Sequence, residues 1–204
     1  MTAPSSGYRL LCAGLLVFFC PAHAVEAAES LTLGFGSDST SPVVVTHFSI
    51  EQPLMPVSPF IAASEAERRL PRMAGANVLS VPQDRHRDGA WSLSAQWVEL
   101  PTGKSWRASV EIPIRELTIA FDAYELAVLF GPNGELTIGS DRIGRSPSDR
   151  RDVVTVCAER VPSADKDWKA QAGYFPELPY VMKFSHQDYL AGLEASKCPS
   201  PMEE

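Results

Sequence analysis

The chain has 204 residues, 45% of them apolar, and carries 18 basic against 25 acidic side chains for a net charge of −7. That balance argues against nucleic acid as a partner, because phosphate contacts need concentrated positive charge. It suits solubility and the approach of a basic protein surface.

The first segment sets the compartment. Met1 to Arg9 holds one basic residue, Arg9, and no acid; Leu10 to Cys20 is an apolar run, Pro21 ends it, and Ala22-His23-Ala24 supplies a small-x-small cleavage pattern. Basic, apolar, small is the order of a secretory signal peptide, and the apolar run is about half the roughly 20 residues of a spanning helix. The expectation is a leader over residues 1–24 and a single β-rich domain over 25–204, exported to the periplasm. Cys20 follows Phe18 and Phe19, a context that disfavours a lipid anchor. Loss of Arg9 leaves a mature net charge of −8. A mature chain of about 180 residues makes one domain and buries roughly 70% of its unfolded surface.

In chain order, Leu31 to Phe35 and the β-branched run Val43 to Phe48 read as strands, with a turn between. Glu51 to Ala90 shows no sustained period and holds Pro53, Pro56, Pro59, Pro71 and Pro82. It reads as one long irregular excursion, with a short helix at Ala62 to Leu70. Trp91 to Ile112 is the clearest signal. Trp91, Leu93, Ala95 and Trp97 alternate with polar residues, and so do Trp106, Ala108, Val110 and Ile112. Alternation on both sides of Pro101-Thr102-Gly103-Lys104 predicts an antiparallel hairpin. A turn centred on Thr102-Gly103 would pair Trp97 with Ala108, Ala95 with Val110 and Leu93 with Ile112, and Pro113 would stop the second strand. The three tryptophans are therefore expected in the core.

A second hairpin is predicted from Leu126 to Gly139 around Gly131-Pro132-Asn133-Gly134, with Ala127 and Leu129 sharing a face with Leu136 and Ile138. Asp152 to Ala158 is a further strand. Ser185 with Asp188 resembles a helix start, so one C-terminal helix is expected over His186 to Ser196. The fold class is mainly β: an antiparallel sheet or sandwich built from hairpins, with that one helix. After the leader only Cys157 and Cys198 remain. An even count in an oxidising compartment predicts one disulfide. Closing a loop of about 40 residues, it stabilises by about 4 kcal/mol in the chain-entropy model.

Motifs for chemistry are sparse. Gly34-Phe35-Gly36-Ser37-Asp38-Ser39 approaches a nucleophile elbow but lacks its last glycine, and no helix follows the strand. His47, His86 and His186 fall in three separate elements, and two cysteines with three histidines give no zinc spacing. Acidic pairs such as Glu65 with Glu67 or Asp149 with Asp152 read as solvated charges. Neither a catalytic residue nor a metal or cofactor is assigned. Two mixed-charge loops are the candidate partner-binding surfaces: Asp84, Arg85, His86, Arg87 and Asp88 in one, and Asp141, Arg142, Arg145, Asp149, Arg150 and Arg151 in the other. Arginines in loops on a rigid β scaffold are suited to bidentate recognition of carboxylates or phosphates. Trp168, Tyr174, Phe175 and Tyr180 are candidates for an exposed aromatic patch.

The strand-turn-strand run Leu93 to Pro113 resembles a segment of a family of bacterial envelope proteins. So do the passage from Leu33 to Val45, where a Gly-Phe pair leads into a valine-rich strand, and the Gly-rich turn within Leu129 to Ile138. Members are similar to the small periplasmic proteins, many of them lipoproteins, that accompany type VI secretion lipase effectors as immunity proteins. This resemblance implies a periplasmic immunity protein that occludes a secreted effector of the lipase or phospholipase class. The missing catalytic signatures argue against an enzyme, and the expected mechanism is an acidic surface that steers toward the effector, with the Asp84–Asp88 or Asp141–Arg151 loop plugging its active site. Two other functions fit the residues: an envelope accessory or structural module without a toxin partner, and a hydrolase whose site is assembled from distant residues.

Overall fold

The structure, a computed structural model, is described over residues 28–37, 42–63, 77–140, 151–171, 173–183 and 196–199. The expected leader lies outside this range. So do residues 64–70 of the expected short helix and all but Ser196 of the expected C-terminal one.

Eleven strands form two sheets among these residues: β1 (Ser30–Ser37), β2 (Val43–Ile50), β3 (Pro56–Ala62), β4 (Asn77–Ser80), β5 (Ala90–Glu99), β6 (Ser105–Pro113), β7 (Thr118–Ala120), β8 (Ala123–Phe130), β9 (Glu135–Ser140), β10 (Arg151–Cys157) and β11 (Glu159–Arg160). One sheet runs β10-β9-β8-β1-β4, with β7 beside the start of β8; the other runs β11-β6-β5-β2-β3. Every pairing is antiparallel except that of β1 with β8. The mainly β, sandwich-like class expected from the alternating runs is what the chain adopts. No helix of the described residues is long and apolar enough to cross a membrane.

Period-2 alternation builds the core. Leu31 and Leu33 of β1 and Leu126, Val128 and Phe130 of β8 face Trp91, Leu93, Ala95 and Trp97 of β5 and Trp106, Ala108, Val110 and Ile112 of β6. Aromatic pairs tie the sheets together: Trp91 meets Tyr124 at 5.3 Å, Trp97 meets Phe130 at 5.0 Å, and Phe35 meets Phe48 at 4.9 Å between ring centroids. Edge-to-face and tilted contacts of this kind add to plain area burial. The three tryptophans are buried as expected, and Pro113 ends β6.

The register of the first hairpin is two residues away from the expectation. Trp97 pairs with Trp106, Ala95 with Ala108, Leu93 with Val110 and Trp91 with Ile112. The turn is centred one residue earlier, because the Glu99 N–H bonds Lys104 O at 2.9 Å and the Gly103 N–H bonds Glu99 O at 2.8 Å, closing a loop of Leu100 to Gly103. A two-residue shift keeps every side chain on its face, so the core set survives the correction. The second hairpin is off by an odd step. Phe130 pairs with Leu136 and Val128 with Ile138, because the loop is the three residues Pro132-Asn133-Gly134. Val128 and Phe130, rather than Ala127 and Leu129, therefore share the inner face with Leu136 and Ile138.

Two further corrections concern the excursion and the aromatic stretch. Residues 51–90 contain β3 and β4, and Ala62, expected to start a helix, ends β3. Pro56 and Pro59 are tolerated there because β3 is an edge strand, where a missing N–H costs no ladder bond. Trp168 and Phe175 are not exposed. With Leu178 and Val181 they cover Val44, Val98 and Leu100 on the outer face of the β2–β5 sheet. Tyr174 and Tyr180 remain exposed.

Candidate functional site

The pairing of Trp91 with Tyr124 and of Trp97 with Phe130 places the starts of β5 and β8 at one end of the sandwich and the β5–β6 and β8–β9 turns at the other. The first, or loop end, gathers the loop before β5, the turn after β2, the β7–β8 turn, and Ser140 and Arg151. These last two are the residues between which the second candidate loop leaves and returns.

The first candidate loop is built by two carboxylates. Glu51, just past β2, is buried. Its Oε1 accepts the Ser92 N–H at 2.7 Å and its Oε2 accepts the Arg85 N–H at 3.0 Å. Asp84 Oδ2 accepts the Gly89 N–H at 2.9 Å and Oδ1 accepts the Asp88 N–H at 3.3 Å, while Asp88 Oδ1 accepts the Ala90 N–H at 3.0 Å. The Gly89 amide is the main cause that holds the Asp84 carboxyl below its ordinary value of 3.8. Gly89 O accepts the Ile114 N–H at 2.9 Å, fixing the loop to the 3₁₀ turn Ile114–Glu116. Asp84 and Asp88 thus spend their side chains on backbone amides. Arg85, His86 and Arg87 point outward from a preordered frame, all exposed, with Arg87 in the left-handed region at φ 56°.

Of the second candidate loop, Asp141, Arg142, Arg145, Asp149 and Arg150 lie outside the described residues. Arg151 is engaged: it contacts Glu116 Oε2 at 3.6 Å and donates to the Glu116 carbonyl. Its guanidinium pins the start of β10 to the turn that follows β6, at the same end of the sandwich as Arg85 and Arg87.

One residue of this end was not singled out by its sequence. Ala120 pairs with Ala123, so Phe121 and Asp122 form a two-residue turn, with φ 52° and 60°. Two left-handed central residues are the requirement of the primed hairpin turn that favours Asn-Gly. A side chain held there costs about 1 kcal/mol or more, and a bulky one such as phenylalanine is a true outlier. No burial offsets that cost, since Phe121 is 102% exposed relative to a free residue. The turn is nevertheless clamped. Asp122 O accepts the Glu29 N–H at 3.1 Å, the Ser30 N–H at 3.4 Å and the Ser30 hydroxyl at 3.3 Å. Ile119, Met55, Val78 and Leu79 are also exposed in this half of the molecule.

The opposite end is locked. Cys157 and Cys198 form the expected disulfide. Beside it, the buried Glu135 Oε2 accepts the Lys197 N–H at 2.8 Å and the Ser196 hydroxyl at 3.2 Å. Glu99, 1% exposed, accepts the Thr102 hydroxyl at 2.9 Å and the Gly134 N–H at 3.2 Å, joining the two sheets' turns. Burial pushes its carboxyl above the ordinary 4.5, against the pull of those bonds. Asp165 takes two bonds of 2.8 Å from Arg160 and one of 2.7 Å from the Ser105 N–H, which together hold its carboxyl down.

The buried acids Glu51, Glu99 and Glu135 are thus committed to backbone amides and side-chain hydroxyls. His47 is half-buried in β2 against Thr46, His86 is exposed in the first loop, and His186 lies outside the described residues. Among the described residues, no three of His, Cys, Asp and Glu gather into a metal-binding group. Comparison with protein families, curated proteins and solved structures gave no match to any of them.

Proposed function

We propose that the protein is an exported binding protein that works through the loop end of its sandwich and not by catalysis. The observation that carries this reading is the loop Asp84 to Gly89. Its acids are consumed internally, and its two arginines are held out to solvent. Preordered loops lose little entropy on binding, and exposed arginines recognise carboxylates through a fixed fork of donors. The disulfide fits an oxidising compartment, which agrees with the leader read in residues 1–24.

The resemblance of the Leu93 to Pro113 segment supplies the partner class. The protein is an immunity protein of the periplasm, and the partner is a type VI secreted effector, a phospholipase, occluded when the loop end covers its active site. The test is to recover partners on the tagged mature protein from periplasmic extract of the native host, then assay the recovered enzyme on phospholipid. The expected result is a secreted enzyme whose activity falls on adding the protein and returns with the variant R85A/R87A. A recovered enzyme whose activity is untouched contradicts occlusion, and recovery of none contradicts the immunity reading.

A further inference from the structure

We infer that Phe121 is the anchor residue of a protein interface: its ring seats in an apolar pocket of a partner protein whose rim carries charges of both signs. The inference rests on the reading of this protein as a binding module and names the contact that drives it.

Three observations converge on that ring. Phenylalanine occupies a left-handed position in a two-residue turn that asparagine or glycine would fill without strain,. The ring meets no neighbour in return among the described residues, being fully exposed. The tip is rigid, because the Asp122 carbonyl gathers three donors from Glu29 and Ser30. Folding gains nothing from a phenyl ring at this place, and strain retained without a structural return points to function. A rigidly presented ring can fill a desolvated pocket at small entropic cost, and a few such anchors dominate an interface.

Charge and magnitude choose the occupant. Exposed Glu29 and Asp122 stand at the turn that carries the ring, and exposed Arg85, Arg87, Asp88 and Arg115 lie at the same end of the sandwich, so the complementary rim carries both signs of charge,. A bilayer is the poorer fit. A whole myristoyl chain, much larger than one ring, gives only marginal membrane attachment, and an anionic leaflet would repel the exposed acids Glu29 and Asp122 at the same turn,.

The test compares the wild-type mature chain, disulfide intact, with F121N and R85A/R87A. Each is immobilised against periplasmic and secreted extract of the host, and each is also sedimented with vesicles of equal phosphatidylcholine and phosphatidylglycerol. A protein retained by the wild type is purified and titrated. The expected result is a Kd weakened at least about 30-fold by F121N, no vesicle binding by any form, and thermal stability of F121N equal to or above wild type, since asparagine suits the turn. Equal affinity of wild type and F121N for a protein that R85A/R87A loses overturns the anchor and leaves the binding module standing. Vesicle binding that F121N abolishes, with no protein retained, overturns the protein partner in favour of a membrane. Retention of neither overturns both readings.

Discussion

The two ends of the sandwich solve the same backbone problem with different residues. At the locked end, positive φ falls to Gly103, Asn133 and Gly134, the residues for which it is cheapest. At the loop end it falls to Glu51, Arg87, Phe121 and Asp122, with one glycine, Gly89. Glu51 has a structural return, since its carboxylate holds two amides. Arg87 and Phe121 have none among the described residues, and both side chains face solvent. The difference teaches that one end is built to hold and the other to present. Strain without local compensation marks the surface that a partner should complete.

The largest effect is expected at the locked end. The variant C157S/C198S should lose about 4 kcal/mol by the chain-entropy estimate, and chemical denaturation measures it. It also frees the Ser196 and Lys197 donors from Glu135. Next comes Gly134→Ala. A Cβ there would sit 2.4 Å from Cε3 of Trp106, at φ 74°, so about 3 kcal/mol is expected from the clash and the left-handed backbone together.

Glu99→Gln sharpens the comparison through pH. Because burial raises the folded value of Glu99 above the unfolded one, its contribution is complete at low pH and is lost as pH rises through the folded value. The difference in Tm between wild type and E99Q should therefore shrink or reverse on going from acid to neutral pH. Asp84 has the opposite sign. Its folded value is lowered, so its hold on the loop is present above the ordinary aspartate range and is lost as pH falls through the lowered value. Faster amide exchange at Asp88 and Gly89 in Asp84→Ala, with an unchanged Tm, is the expected signature at neutral pH.

The parts of this contrast differ in how far the sequence reveals them. The alternation of Trp91 to Ile112 names the core faces, because period 2 survives a two-residue slip. The Gly131 to Gly134 turn names a hairpin but not its face, since a three-residue and a four-residue loop differ by one step of parity. β8 is buried on both sides, which erases its alternation. β3 and β4 hide because prolines and short length read as loop, while edge position makes them permissible. The charged run Asp84 to Asp88 is visible from composition. The frame that orders it is not, because Glu51 lies 34 residues before Arg85. Phe121 stayed hidden for the plainest reason: an apolar side chain in sequence reads as core, and only the folded turn puts it in solvent.

The central claim is that the side chains of Arg87 and Phe121, left-handed at the loop end, serve binding and not folding. The most direct test is the Tm of the mature double variant R87N/F121N. Asparagine accepts left-handed φ at lower cost, so each replacement should gain about 0.5–1 kcal/mol. The expected result is a Tm equal to wild type or a few degrees higher. A Tm several degrees lower would show that Arg87 and Phe121 hold the fold together, and would contradict the account.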